Sequence, residues 1–303
     1  MAITSGISEK VEVIEETAFG SGTGTSKEFG HIEGITFKAD PHSTVYYSAD
    51  GTNLPNDIVD GVLEFSGDLK WKLTDGREFG AILGSLTDDG NGSYTLGVSN
   101  SSPSYSFKAI LDDTQNVHIK GSKFSRFNLN ISKDSIVDVS GDWLAQNIVE
   151  LATEVTPQVP TEKPYQFTDA VITFENGTSI MMDSFSLSLD RQSTSYRGIE
   201  STGTNEKRLI TAIVDKNLSI TGSGTAIAKK EIFESILGGA TLEDYRATAD
   251  IVVTLENDAS SLTLTIPALL SSFSKSTNAE SDLILVDFDF IGKNISGSGT
   301  YTV

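Results

Sequence analysis

The sequence repeats itself at about half its length. Ser43-Thr44-Val45-Tyr46 returns as Ser193-Thr194-Ser195-Tyr196, and Gly51-Thr52-Asn53 as Gly203-Thr204-Asn205. Leu63-Glu64-Phe65-Ser66-Gly67 returns as Leu218-Ser219-Ile220-Thr221-Gly222, and Ala81-Ile82-Leu83-Gly84 as Ser235-Ile236-Leu237-Gly238. Asp142-Trp143-Leu144-Ala145-Gln146-Asn147-Ile148 returns as Asp289-Phe290-Ile291-Gly292-Lys293-Asn294-Ile295. The offsets are 150, 152, 155, 154 and 147, always in the same order, so the spacing drifts only by loop-sized amounts. Any one match is weak in a chain rich in Ser, Thr and Gly; five in order are more than composition supplies. Three of the seven prolines fall between the copies, in Val155-Thr156-Pro157-Gln158-Val159-Pro160-Thr161-Glu162-Lys163-Pro164, which reads as an extended, fairly stiff connector. The expected organisation is one unit over residues 1–155, a linker over 156–164 and a second unit over 165–303.

Both copies read as β-structure. Phe185-Ser186-Leu187-Ser188-Leu189 and Leu262-Thr263-Leu264-Thr265-Ile266 alternate apolar with polar residues, the period of a half-buried strand. Asn176-Gly177 suits a tight hairpin turn whose central residues need positive φ, and Asp89-Gly90-Asn91-Gly92 is a second turn of this kind. Two segments read as helices. One is Lys229 to Leu237, apolar at Ile232, Phe233, Ile236 and Leu237 and stopped by Gly238-Gly239; the shorter is Glu78 to Leu83, stopped by Gly84. Each copy also holds a long polar stretch, residues 39–60 and 190–207. Loops of that length are usually functional or carry an extended hairpin.

Charge narrows the function. Among 303 residues, 42 are acidic and 22 basic, for a net charge of −20, and there is no cysteine. Such a surface repels phosphate and disfavours a nucleic-acid reader. The basic residues are scattered, with no cationic track carrying interleaved aromatics. No apolar run approaches the roughly 20 residues of a membrane span, and the N-terminus does not read as a secretory signal. Without cysteine there are no disulfides, thiolate metal sites or cysteine nucleophiles.

Motifs for catalysis are weak. His31, His42 and His118 have no metal-site spacing, and His118 reads as an ordinary strand position. Gly-x-Ser-x-Gly between strand and helix is absent. Gly-Ser-Gly-Thr at Gly20, Gly222 and Gly297 lacks the Lys of a phosphate loop and reads as turns or strand ends. Asp88-Asp89-Gly90-Asn91-Gly92 lacks the alternating acids of a helix-flanked calcium loop; hairpin chemistry explains it better. Carboxylate pairs for glycoside hydrolysis meet only in space, so an acidic β-rich hydrolase ranks low for want of a constellation. Asn-x-Ser/Thr sites are attributed to chance. The expectation is no catalytic site, no metal site and no cofactor.

The order of motifs resembles that of the tail tube proteins of tailed viruses. The opening Ile14-Glu15-Glu16-Thr17-Ala18-Phe19-Gly20 is similar to that family's N-terminal Glu-Thr-x-Phe-Gly stretch. The fullest match begins Tyr165-Gln166-Phe167-Thr168-Asp169-Ala170-Val171-Ile172-Thr173-Phe174, turns at Asn176-Gly177 and continues through Asp183 to Asp190. After the long loop come a strand, the helix ending Ile236-Leu237-Gly238-Gly239, then Ile266-Pro267 and Val286-Asp287-Phe288-Asp289-Phe290. The resemblance implies a mainly β fold of two tandem sandwich or barrel units, each with one short helix and a long hairpin loop. It implies a virion structural protein, assembled in the host cytoplasm, whose rings stack into a tube that conducts DNA. Most members have one unit per chain and form hexameric rings; two units imply a trimeric, pseudo-hexameric ring. Its partners would be copies of itself and other tail proteins: terminator, baseplate or tip, tape measure and, in a contractile tail, sheath. DNA would be unbound cargo, and no membrane is involved. Ser43, Thr44, Tyr46, Gly51 and Asn53, with Ser193, Thr194, Tyr196, Gly203 and Asn205, would belong to assembly loops. Strands near residues 61–73 and 209–221 would line the channel, with Glu64, Asp68 and Asp215 as candidate channel residues.

A lining that must let DNA slide should be anionic, since lysines would hold phosphate through counterion release. Carboxylates are therefore expected to gather on the channel strands of both copies. The competing reading is an extracellular β-sandwich adhesin or carbohydrate-binding module. It predicts a monomer, an anchor or signal, and a cluster of exposed aromatics.

Overall fold

Leu262, Leu264 and Ile266 are fully buried, and the threonines between them are not. Phe185, Leu187 and Leu189 are buried in the same way between half-buried serines. Side chains on a strand alternate between two faces, so each such run gives a strand with one face on the core. The computed structural model describes residues 10–46, 57–59, 63–110, 116–151, 154–174, 178–196, 210–227, 249–277 and 284–302.

The first half supplies β1 (Lys10–Glu16), β2 (Gly24–Lys27), β3 (His31–Asp40), β4 (Thr44–Tyr46), β5 (Asp57–Val59) and β6 (Glu64–Lys72). A 3₁₀ turn (Arg77–Phe79) leads into α1 (Gly80–Leu83), then β7 (Gly84–Asp88), β8 (Ser93–Val98), β9 (Tyr105–Ile110), β10 (Asn116–Ser132), β11 (Asp138–Ala145) and β12 (Asn147–Glu150). The second half supplies β13 (Ala170–Phe174), β14 (Thr178–Ile180), β15 (Met182–Asp190), β16 (Thr194–Tyr196) and β17 (Ala212–Val214). It ends with β18 (Ser219–Ile227), β19 (Ala249–Glu256), β20 (Ser261–Thr277), β21 (Ile284–Gly292) and β22 (Ser296–Thr300). The fold is mainly β and sandwich-like.

Pairing order is the same in the two halves, and every pair is antiparallel. One layer runs β3–β6–β11–β10 in the first half and β15–β18–β21–β20 in the second. The other runs β2–β1–β9–β10–β12 and β14–β13–β19–β20–β22. The 17-residue strands β10 and β20 serve both layers, N-terminal part in one and C-terminal part in the other. Aromatic rings fill the space between layers: Phe107 lies 5.6 Å from Trp143, and Phe174 lies 5.2 Å from Phe288.

Two strand pairs join the halves. β10 pairs with β15 from Arg126↔Asp190 to Ser132↔Ser184, and β8 pairs with β22. The first layer is thus one run of eight strands, β3–β6–β11–β10–β15–β18–β21–β20. One hydrophobic cluster takes in side chains of both halves, from Val11 to Ile295. The Pro-rich segment is tied along its length: Thr156 N–H donates to Glu12 (3.3 Å), His31 Nε2 meets the Glu162 carbonyl (3.0 Å), and Tyr165 N–H donates to the Leu73 carbonyl (2.9 Å).

Local signals behave as the sequence predicts. The turn after β7 is held by Asp89, whose Oδ1 accepts from Asn91 N–H (2.8 Å) and Ser93 N–H (3.0 Å). α1 stops at Gly84, at φ 87°, which only glycine adopts cheaply. β13 and β14 pair as a hairpin, while Asn176-Gly177 and the expected helix at Lys229 to Leu237 lie outside the described residues. The Glu-Thr-x-Phe-Gly stretch has a structural basis. The buried Glu16 carboxylate accepts from the N–H groups of Gly20 (2.8 Å), Gly22 (2.9 Å) and Gly121 (3.0 Å) and from Ser106 Oγ (2.5 Å), fixing the turn after β1.

Candidate functional site

The outward face of the eight-strand layer is the largest feature that both halves build together. Register places Asp68, Asp142, Arg126, Asn128, Ser186, Ser188, Ser223, Thr225, Asp287, Asp289, Ser272 and Ser274 on it. A shallow trough of about 680 Å³ lies on it between Asn128, Ser140, Ser188, Thr221 and Asp289.

The backbone approaches closely beneath this face. Gly67 on β6 lies opposite Trp143, and Gly222 on β18 lies opposite Phe290. A Cβ on either glycine would collide with the opposing ring and with a carbonyl of the adjacent strand, Thr36 or Ser186. The two glycines fall at the same place in their halves, each covered by an aromatic ring.

Charge on the face differs between the halves. In the first, Arg126 lies 3.8 Å from Asp142 and 3.0 Å from Asp190, and Lys72 pairs with Asp138 and with Glu33. Burial pushes the Asp142 carboxyl up, Arg126 pulls against it, and Asp68 and Asp190 push it further. In the second half hydroxyls hold the carboxylates: Asp287 accepts from Thr225 Oγ1 (2.7 Å), and Asp289 accepts from Ser272, which stands at the place of Arg126.

The two long polar stretches each carry a short hairpin, β4–β5 and β16–β17. Their necks match. Asp40 Oδ1 accepts from His42 N–H (3.1 Å) and Asp190 Oδ1 from Gln192 N–H (2.7 Å), and His42 and Gln192 both have positive φ, 43° and 49°. The repeated Asp-x-His/Gln-Ser, at Asp40 to Ser43 and Asp190 to Ser193, is the signal that could have found these turns.

The second neck is also pinned to the first half. The buried Arg191 guanidinium donates to the carbonyls of Ile82 and Leu83 at the end of α1. Asp215 accepts from Ser102 N–H (2.6 Å), Ser102 Oγ (2.8 Å), Ser193 Oγ (3.1 Å) and Lys123 Nζ (3.3 Å). Burial pushes the Asp215 carboxyl up, but the Ser102 donors and Lys123 outweigh it and hold its pKa below the usual range.

The sequence-predicted residues therefore separate. Glu64 and Asp68 lie on the outward side of β6, opposite in direction to the buried Phe65, Leu69 and Trp71. Asp215 follows β17 and turns inward, with its side chain 2% exposed. Ser43 is exposed, Thr44 and Tyr46 are on β4, Ser193 and Thr194 stand at the start of the second hairpin, and Tyr196 is 63% exposed. Gly51, Asn53, Gly203 and Asn205 lie outside the described residues. Of the carboxylates expected on the channel strands, Glu64 and Asp68 lie on β6, while Asp215 is buried; the outward face also carries Asp142, Asp287 and Asp289. Glu12, Glu16, Asp75, Glu78 and Asp89 sit elsewhere, where they accept hydrogen bonds in turns and buried networks.

Among the described residues, no group of three or more His, Asp or Glu is arranged to hold a metal, and no helix is long and apolar enough to cross a membrane. A family model described as phage tail tube protein matches residues 7–293. No curated protein matches the chain.

Proposed function

The chain belongs to the phage tail tube protein family, and from that premise we propose that three copies close a ring of six similar units. Rings stack into the tail tube, and the outward face of the eight-strand layer lines the channel that viral DNA traverses. A structural place in the virion tail, self-assembly and association with other tail proteins follow from the family. Assembly in the host cytoplasm and contacts with terminator, baseplate or tip, tape measure and sheath are part of the proposal. So is the division into two duplicated units about residues 156–164.

The observation that carries this reading is the eight-strand layer itself, four strands in one order followed by four in the same order. Three such layers edge to edge give about 24 strands, and at about 4.8 Å per strand a ring roughly 37 Å across before tilt widens it. Its lumen would carry hydroxyls, Asp287 and Asp289 from each second half, and cations already engaged by carboxylates from each first half. Cations so engaged offer phosphate little net attraction. The two hairpins, with Tyr196 and Val214 exposed, serve contacts between rings.

Native mass spectrometry with negative-stain microscopy of concentrated protein tests this. The expected result is trimers and stacked rings with an open centre. Monomers at every concentration and salt would contradict it. Tyr196→Ser is expected to leave folding unchanged and to shorten or abolish the stacks.

A further inference from the structure

A short turn between β6 and α1, residues 73–79, gathers distant parts of the chain. Its carbonyls accept from both halves: Leu73 from Tyr165 N–H (2.9 Å), Thr74 from Ser260 Oγ (2.6 Å) and Asp75 from Tyr94 OH. The same turn grips the end of the chain. The Arg77 guanidinium lies 3.8 Å over the Tyr301 ring, Tyr301 OH donates to Asp88 (2.8 Å), and Tyr301 N–H donates to the Gly92 carbonyl (2.9 Å). Tyr301 directly follows β22, so this grip anchors the strand that joins the second half to β8.

Carboxyls outnumber cations here. Arg77 donates to Asp75 through its backbone N–H and Nε (2.8 Å each), and reaches Glu28 at 3.7 Å and Asp88 at 3.9 Å. Asp75 and Glu78 are 3% and 4% exposed, and Glu28 Oε1 is buried with no hydrogen-bond partner among the described residues. Glu78 accepts from an uncharged donor, Trp71 Nε1 (3.0 Å). A carboxylate removed from water beside a second one, with Arg77 already held by that neighbour, is more stable with a proton on it. Burial first, then the Asp75 charge, push the Glu78 carboxyl up to about 8, and Arg77 pulls against them. The phenols that face it, Tyr94 and Tyr165, are raised by burial and keep their protons throughout the same range; Asp169 adds to the rise at Tyr165. Burial also raises Glu28, with Asp75 and Glu162 pushing the same way and Arg77 and His31 opposing.

We propose that this turn is a proton-held latch between the halves: with a proton on Glu78 it keeps β22 and Tyr301 closed on β8, and loss of that proton lets this end of the chain open while the rest stays folded. An ionised Glu78 repels Asp75. Asp75 carries Arg77 on its carboxylate and Tyr94 on its carbonyl, so its displacement loosens the grip on Tyr301. In the opened state Glu78 reaches water and returns to its ordinary pKa of about 4.3. Opening therefore rises about tenfold per pH unit from there to about pH 8, and levels off above it. The latch works within one chain and does not depend on ring assembly.

Hydrogen exchange of the full chain, read by mass spectrometry at pH 5.5 and 7.5 and corrected for the intrinsic rate, tests this. Amides of β8 and β22 are expected to lose about 100-fold in protection between the two pH values. The hairpin β16–β17 is the internal control and is expected to hold steady, since the neighbouring Asp215 is kept below the usual carboxylate range. Glu78→Gln keeps the shape of the protonated side chain and cannot ionise; its β8 and β22 are expected to be equally protected at both pH values. Tyr301→Phe gives up the bond to Asp88 and is expected to lower protection at both, with the 100-fold change intact. An unchanged wild-type β22, or the same loss in Glu78→Gln, would overturn the latch. So would β8 and β22 as well protected as the core strand β10 at both pH values, because this end would then open only when the whole chain unfolds. Should Glu78→Gln not fold, the wild-type profile decides: a loss that levels off above about pH 8 supports the latch, and one that keeps growing contradicts it.

Discussion

The layers β3–β6–β11–β10 and β15–β18–β21–β20 share a pairing order but not a surface. What recurs is what the backbone requires: the glycine beneath an aromatic ring at Gly67/Trp143 and Gly222/Phe290, the bulge at Ser125 and Ser271, and the Asp-held turn at Asp40 and Asp190. What does not recur is chemistry at the ends and on the outside. Arg126 and Lys70 mark the outward face of the first layer, and the hydroxyls of Ser272 and Thr225 take their places in the second. Arg191 fastens the second hairpin neck to α1, while Pro41 stands at the matching place in the first. Backbone devices are tied to the fold and recur with it; surface charge is free to differ between the halves.

The comparison is most severely tested in the core. Trp143→Ala and Phe290→Ala each empty the space over an equivalent glycine and are expected to cost about 3–5 kcal/mol. Because one hydrophobic cluster spans both halves, each variant should unfold in a single transition, read by urea denaturation with both fluorescence and circular dichroism. Two separated transitions would show halves that fold alone. Next comes the difference between the necks. Arg191→Ala leaves the Ile82 and Leu83 carbonyls without their buried donor, at about 1–3 kcal/mol, whereas Pro41→Ala should stay within about 0.5 kcal/mol.

The smallest effects are pH-dependent and opposite in sign in the two halves. The Asp215 pKa is held low, so its contribution is present above the unfolded value of about 3.9 and is lost as pH falls through the lower folded value. Glu78 accepts from Trp71 Nε1 (3.0 Å) in the core of the first half; burial, then the Asp75 charge, push its pKa up to about 8. Its contribution is full below about pH 4.3 and is lost as pH rises through the folded value. Stability profiles should therefore flatten below about pH 3.9 for Asp215→Asn and between about pH 4.3 and 8 for Glu78→Gln.

Much of this was legible in the sequence. Leu63 to Gly67 and Leu218 to Gly222 align because both must pass a strand beneath a ring, and alternation in Leu262 to Ile266 is the pleat itself. The double membership of β10 and β20 was not legible, because one alternating run reads the same whether it serves one sheet or two. Asp215 was misplaced by the same blindness. An acid at a strand end looks solvent-facing until Lys123 and Ser102, distant in sequence, arrive to bury it. Net charge also does not reveal how many carboxylates build turns, as Glu16 and Asp89 do.

Cryo-electron microscopy of assembled tubes is the most direct measurement. The expected map has three chains per ring, their eight-strand layers edge to edge, with Asp287 and Asp289 turned to the lumen. A ring of six chains, or a lumen lined by any other face of the chain, would contradict the account.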